Sequence, residues 1–172
     1  MRIMISGKKG SGKDEAVKYL ISKYGGVKMS FAKPIYDMMY FCQTVMGLEK
    51  VKDREFLTTM GDFFRAKDPD IFTNRTFCLA DRHNQQTNIY ISDGRYENEL
   101  DGGTMNGFYI VRVVSNDNIR QIRRPNESII DSHSSENGYP DDYPFDITIP
   151  NNGTLQEFHA ELDKFVQSLL RS

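Results

Sequence analysis

The sequence has little of what marks membrane, disulfide-stabilised or nucleic-acid-binding proteins. No apolar run approaches the ~20 residues that a transmembrane helix needs. The net charge is −2 and the sequence pI is about 5.9, which gives no reason to expect duplex DNA or an anionic membrane as a partner. The two cysteines, Cys42 and Cys78, fall on predicted helices without metal-ligand spacing, so we expect reduced thiols in or near the core.

The chain also lacks internal repeats and low-complexity segments. Its 172 residues suit a single domain, 1–172, and a domain of this size buries about 70% of the surface of its unfolded chain. The first residues already read as a strand, so we expect no signal peptide. These absences together favour a soluble cytoplasmic protein.

What is present begins with a glycine-rich loop, GKKGSGKD, at 7–14. A short apolar run, RIMIS, precedes it, and helical apolar spacing follows it as far as the Gly25-Gly26 pair. Strand, glycine loop and helix together can cradle a phosphate, because glycines turn backbone N–H groups inward and the helix N-terminus adds partial positive charge. The competing interpretation is a glycine-rich turn with a solvated lysine. The predicted phosphate-binding residues are Gly7, Lys8, Lys9, Gly10, Ser11, Gly12, Lys13 and Asp14.

Further strands and helices alternate along the rest of the chain. VKMSF, NIYIS, FYIVRVV and FDITIP read as strands, and helical apolar stripes separate most of them. We expect a helix interrupted or loosened at Gly61, a short helix over RYENELDGGTMNG that ends in a glycine-rich turn, and a capping box at Thr154. The range 116–144 is polar and shows no apolar period, so it predicts a mobile surface segment. The alternation indicates an α/β three-layer sandwich around a mainly parallel sheet.

Three strand ends carry polar residues: the loop after Ser6, SDGR after Ile91, and PNNG after Ile149. Ligands of open α/β sheets bind beyond the carboxyl ends of the strands. We therefore expect these distant segments to meet in one cleft.

Eight short motifs along the chain resemble those of a known family. SGKKGSGKD, FAKPIYD, REFLTTMGD, DPDIF, ISDGRYENELD, RRP, DSHSSE and IPNNGTL are similar, in order and spacing, to segments of the phage-type deoxynucleoside monophosphate kinases, within the P-loop NMP-kinase-like superfamily. The resemblance implies a five-stranded parallel sheet, a helical acceptor-binding region at about 32–87 and an arginine-bearing lid at about 116–144. It also implies ATP as phosphoryl donor, Mg²⁺, and a small-molecule acceptor in the cytoplasm (of a host, for a phage gene). It leaves open a homodimer.

The resemblance assigns roles at the phosphate loop. The common loop places Ser or Thr, a Mg²⁺ ligand, after the lysine; in the resembled family Asp commonly stands there, as Asp14 does. Asp14 and Asp93 are the predicted metal-side carboxylates, and Lys13 contacts the outer phosphates. Asp93 also has two other interpretations, which are activation of the acceptor and N-capping of the following helix.

The acceptor side is predicted from basic and aromatic residues. Arg95 suits the acceptor phosphate, because its planar fork matches phosphate geometry. Arg54 and Arg65 are either a clamp on the monophosphate or a solvated helix face. The chain reads GDFFR and has no Trp, whereas members of the family often have a Trp in this stretch, so base specificity stays open. Seven more residues complete the predicted substrate and transfer sites. The acceptor site includes Lys33, Phe63, Phe64 and Glu99, with Phe63 or Phe64 stacking on the base or filling the core. The catalytic arginines of the lid are Arg120, Arg123 and Arg124.

Two polar segments complete the predictions. Asp131, His133 and Glu136 in DSHSSE suggest either hydrogen bonds at a lid hinge or a metal site. Asn151, Asn152 and Gly153 are placed by the resemblance against the donor adenine, or they form a simple turn.

Two other functions stay open at this stage. A small-metabolite kinase of the same fold, similar to dephospho-coenzyme A or phosphomevalonate kinase, would share the loop and lid. A P-loop ATPase or switch would instead need a residue that orients water.

Overall fold

A computed structural model describes residues 1–125 and 138–171, which form a five-stranded sheet in the order β2-β3-β1-β4-β5. All four strand pairs are parallel. The strands are β1 Arg2–Ser6, β2 Val27–Met29, β3 Ile89–Ile91, β4 Tyr109–Val114 and β5 Ile147–Pro150. The predicted five-stranded parallel sheet and the α/β fold class are confirmed.

Helices cover both faces of the sheet. In the described part of the chain they are α1 Lys13–Tyr24, α2 Lys33–Val45, α3 Arg54–Lys67, α4 Ile71–Ala80, α5 Glu97–Met105, α6 Asp117–Arg123 and α7 Leu155–Leu169. Side chains of β1 alternate between two cores: Ile3 and Ile5 pack with α1 and α7, while Met4 packs with the α2–α5 side. None of the described helices is long and apolar enough to cross a membrane.

The predicted caps and amphipathic stripe of α7 are confirmed. Thr154 Oγ1 accepts a hydrogen bond from the Glu157 N–H at 3.2 Å, and Glu157 Oε2 accepts from the Thr154 N–H at 2.7 Å. Phe158 and Leu162 on the inner face of α7 are buried against the sheet. The sequence therefore locates the start of this helix and its buried face.

The predicted interruption or loosening at Gly61 is wrong. Helix α3 continues through Gly61, which is buried; a Cβ there would lie 3.0 Å from an Arg65 nitrogen and 3.5 Å from Ile35. Helix α5 ends in a glycine turn as predicted, with Asn106 as its C-cap and Gly107 at φ +71°, but it also includes Gly102 and Gly103, where a Cβ at Gly103 would lie 2.7 Å from Met4. These glycines serve close packing of helices on their neighbours rather than turns, which a sequence pattern does not distinguish.

The polar range 116–144, which was predicted as a mobile surface segment because it shows no apolar period, contains the helix α6. The expected position of the two cysteines in or near the core is wrong. Cys42 and Cys78 are free, but both are exposed instead of lying in the core. The second half of α2 explains Cys42, because this helix buries Ile35 and Met39 but leaves Val45 66% exposed. An apolar stripe at helical spacing does not show how far the helix extends beyond the core it covers.

Candidate active site

The glycine loop lies between the carboxyl end of β1 and the start of α1. Gly7, Gly10 and Gly12 have φ values of +139°, +80° and +109°, which L side chains rarely adopt. A Cβ at Gly7 would also collide with the Val113 carbonyl oxygen, and one at Gly12 with the Asn151 side chain. Glycine is therefore required at these positions by both conformation and space.

Two arginines of α6 hold the loop from outside. Arg120 is buried and donates to the Lys9 carbonyl oxygen at 3.0 Å, while also pairing with Asp117 at 2.6 Å. Arg123 donates to the Ser11 carbonyl oxygen at 3.4 Å and to Asn151 at 3.1 Å. In this conformation both side chains, predicted as lid arginines, brace the loop through its carbonyl oxygens.

The PNNG loop belongs to the same brace. Asn151 is buried, and its Nδ2 donates to the Ser11 carbonyl oxygen at 2.8 Å. The Asn152 side chain accepts a hydrogen bond from the Asn116 N–H at 2.8 Å. The structure thus brings this segment against the back of the phosphate loop, next to Gly153 and the start of α7.

Lys13 crosses the loop from the first residue of α1. Its ammonium donates to the carbonyl oxygens of Gly7 at 2.6 Å and Lys8 at 3.0 Å. An incoming phosphate would compete with these two oxygens for the same ammonium, because a charged acceptor forms the stronger hydrogen bond. The lysine is therefore placed at the cradle before any ligand arrives.

Asp14 is held by two donors from neighbouring strand ends. Lys28 Nζ lies 2.7 Å and Ser92 Oγ lies 2.8 Å from the same oxygen, Asp14 Oδ1. Burial by itself raises the pKa of Asp14, but the hydrogen bonds from Lys28 and Ser92, with the charges of Lys28 and Lys13, outweigh it and hold the pKa below its usual value. The carboxylate is therefore ionised at neutral pH, as a metal ligand must be.

Asp93 is engaged at the N-terminus of α2. Its oxygens accept hydrogen bonds from Ser30 Oγ at 2.5 Å, the Ala32 N–H at 3.0 Å and the Phe31 N–H at 3.2 Å. The alternative that Asp93 caps the following helix is wrong. That helix, α5, begins after Tyr96, and Glu99 accepts the Tyr96 N–H instead.

A cavity of about 820 Å³ joins the loop to the helical region. Several elements meet there: the glycine loop, the ends of β2 and β3, helices α2, α3 and α5, and the end of α6. From the predicted site, the walls contain Lys9, Gly10, Gly12, Lys13, Asp14, Arg54, Arg65, Asp93, Arg95, Glu99, Arg123 and Arg124. The expected meeting of distant segments in one cleft is thus seen for the glycine loop and SDGR, with PNNG directly behind the loop.

Other predicted residues lie away from this cavity. Lys33 pairs with Asp37 at 2.6 Å and lines a smaller groove of about 410 Å³ beside β2. Phe63 is 50% exposed, and Phe64 packs edge-on against Phe72 in the core. Asp131, His133 and Glu136 lie outside the described residues.

Arg65 lines the cavity between two aromatic rings and a buried glutamate. Its guanidinium lies 4.4 Å from the ring centroid of Tyr96 and 5.0 Å from that of Phe72, and it pairs with Glu99 at 3.5 Å. The contacts with the two rings and the ion pair with the carboxylate fix the plane of the guanidinium. The interpretation of Arg65 as a solvated helix face does not fit this setting.

Glu99 is a buried carboxylate behind the arginines. It is 2% exposed and accepts hydrogen bonds from the N–H groups of Arg95 at 2.8 Å and Tyr96 at 3.2 Å. Burial raises the pKa of Glu99 to about 7, with Asp93 adding to the rise while the two N–H donors and Arg65 oppose it. Glu99 therefore holds the Arg95 backbone and the Arg65 side chain in one arrangement.

Several residues that line the cavity were not predicted from the sequence. Lys28, Ser30, Tyr36, Lys52, Asp62, Ser92 and Tyr96 line the cavity, yet none was predicted. The alternating pattern of VKMSF indicates a strand that contains Lys28, and Ser92 stands at the end of the strand NIYIS. The carboxyl ends of parallel strands share one edge of the sheet. That rule could have found Lys28 and Ser92; the residues from α2 and α3 depend on helix packing.

Two curated viral proteins are similar in sequence to this chain. Over 169 residues it is 30% identical to "Uncharacterized protein ORF77" of Ictalurid herpesvirus 1 (strain Auburn), covering 95% of this chain and 69% of that protein. Over 189 residues it is 28% identical to "Putative deoxynucleotide monophosphate kinase" of Acanthamoeba polyphaga mimivirus, covering 93% of each. No family model matches the chain.

Solved structures agree on the fold. TT1252 from Thermus thermophilus is 15% identical with a TM-score of 0.60, covering 98% of this chain and 97% of that one. Shikimate kinase from Acinetobacter baumannii is 14% identical with a TM-score of 0.60, covering 99% and 93%. The chain therefore has the same fold as shikimate kinase, with a glycine loop after its first strand. It belongs to the family of the Ictalurid herpesvirus ORF77 protein.

Proposed function

We propose that the chain transfers the γ-phosphoryl group of ATP to a deoxynucleoside monophosphate, giving ADP and a deoxynucleoside diphosphate. The observation that carries this proposal is that one cavity is lined both by the glycine loop and by Arg54, Arg65 and Arg95. Two sets of anion-binding groups in one cavity suit a donor and an acceptor that both carry phosphate. The name of the mimivirus relative supports the same acceptor class.

The donor end of the reaction rests on the loop. The β- and γ-phosphates lie in the Gly7–Lys13 cradle, with the Lys13 ammonium moving from the carbonyl oxygens to the phosphates. Asp14 fits Mg²⁺, because it is an ionised carboxylate whose Oδ2 has no hydrogen-bond partner among the described residues. When bound, Mg²⁺ neutralises charge on the phosphates.

The acceptor end positions the attacking group. Arg95 and Arg65 hold the acceptor phosphate, with Glu99 fixing both from behind. An oxygen of that phosphate attacks the γ-phosphorus in line; the new P–O bond forms as the bond to the β–γ bridging oxygen breaks and ADP leaves. The attacking phosphate is ionised at neutral pH, so the step needs positioning more than a general base.

The experiment is a coupled ADP-release assay with ATP and Mg²⁺. It is run without acceptor, with the four deoxynucleoside monophosphates and their ribose counterparts, and with phosphorylated metabolites such as dephospho-coenzyme A and phosphomevalonate. We expect release only when a deoxynucleoside monophosphate is present. Release with no acceptor would instead identify an ATPase or switch. Release only with dephospho-coenzyme A, phosphomevalonate or another phosphorylated metabolite would identify a small-metabolite kinase of the same fold.

A further inference from the structure

Lys28 on the edge strand β2 has no role in the mechanism above. Its half-exposed side chain lines the cavity and reaches Asp14 Oδ1 at 2.7 Å. Ser92 donates to the same oxygen from the end of β3 at 2.8 Å. Two donors on one oxygen fix the orientation of the carboxylate and leave Oδ2 with no hydrogen-bond partner in the described part of the chain.

This arrangement addresses a problem that Asp14 creates. Most phosphate loops carry a neutral hydroxyl after the lysine, whereas a carboxylate adds a negative charge beside the bound phosphates. Like charges at such short range repel each other, and water weakens this repulsion because the Asp14 side chain is 74% exposed. The Lys28 ammonium neutralises the charge of Asp14. The ammonium can also move away from the carboxylate, because the lysine side chain is flexible.

We propose that Lys28 is the resident counter-charge of Asp14: it allows the loop to bind nucleotide phosphates without Mg²⁺ and gives up the carboxylate when Mg²⁺ enters with the nucleotide. Lys28 is thus a positioning residue for the metal-side acid. This inference rests on the proposed kinase function only in that a nucleotide occupies the loop.

The test is ADP binding by calorimetry, with EDTA and again at saturating Mg²⁺, for Lys28→Met, Asp14→Asn and the double variant. We expect Lys28→Met to weaken metal-free binding about tenfold, equivalent to about 1.4 kcal/mol. Saturating Mg²⁺ should shrink that loss to about threefold or less, because the metal then neutralises Asp14. In the Asp14→Asn background, Lys28→Met should change metal-free binding by less than about threefold.

Lys18→Met is the matched control. It also removes one lysine charge near α1, but Lys18 pairs loosely with Glu15 at 3.9 Å and should leave ADP binding unchanged. All measurements are made at low salt, where such charge effects are largest. Circular dichroism monitors folding, and Lys28→Gln repeats the test if the methionine perturbs β2.

The outcomes separate two failures. If the wild-type protein binds no ADP even with Mg²⁺, both the phosphate-loop assignment and the proposed function are wrong. Wild-type binding with no metal-free loss in Lys28→Met would overturn the counter-charge role alone. An equal loss in the Asp14→Asn background would also overturn it, since Lys28 would then contact the nucleotide directly.

Discussion

Replacing Glu99 by Gln should change how the stability of the protein depends on pH. Glu99 is 2% exposed, and burial, the largest cause, raises its pKa from 4.5 to about 7. The folded state therefore retains a proton on Glu99 that the unfolded chain releases between pH 4.5 and about 7. Stability is highest below pH 4.5 with respect to this group and is lost as the pH rises through that window.

The size of the effect follows from the shift. The difference between about 7 and 4.5 is about 2.5 pKa units, and each unit corresponds to about 1.4 kcal/mol. The free energy of unfolding should thus fall by about 3 kcal/mol across the window through Glu99. Glutamine keeps an oxygen that can accept the Arg95 and Tyr96 N–H groups, so Glu99→Gln removes the titration and preserves the helix start.

The assay is urea unfolding followed by circular dichroism at several pH values from 4.5 to 8. The wild-type minus Glu99→Gln difference in unfolding free energy should change by about 3 kcal/mol between the ends of the window. Glu97→Gln, on the same helix but exposed, is the matched control and should follow the wild type. Parallel curves for the wild type and Glu99→Gln would refute the assignment of a buried, proton-holding carboxyl group.

Three further predictions concern the loop and the arginines. Lys13→Ala should lower kcat by about a hundredfold or more without changing the melting temperature, and near-wild-type turnover would contradict the phosphate-loop assignment. Gly12→Ala should lower the free energy of unfolding in urea by about 1–3 kcal/mol, because φ at Gly12 is +109° and the new methyl group meets Asn151. Gly47→Ala, where φ is +68° and no atom of the described residues lies within 4 Å of the new methyl group, should lower it less. Equal losses in the two variants would show that the collision with Asn151 does not matter. Arg95→Ala should raise the acceptor KM about tenfold or more while the ATP KM stays within about twofold, as steady-state kinetics would show; the reverse pattern would place Arg95 at the donor.

Much of the fold was predictable from local sequence. Strand, glycine loop and helix follow one another within the first 24 residues, and the capping box at Thr154 marks the start of α7. Such signals depend on neighbouring residues only, because backbone conformation and helix caps are set locally. The sequence by itself therefore determined the parallel sheet, the glycine loop and the sheet edge at which the cavity lies.

The tertiary structure alone decided which side chains meet. Lys28 and Ser92 lie 14 and 78 positions from Asp14, and Asp93 lies 61 positions from the Ala32 N–H that it accepts. Glycine also misled the sequence reading at Gly61, because the same residue type serves turns and close helix packing. Contacts of this kind depend on strand order and on how helices pack across the sheet, and neither is encoded in the spacing of residues along one segment.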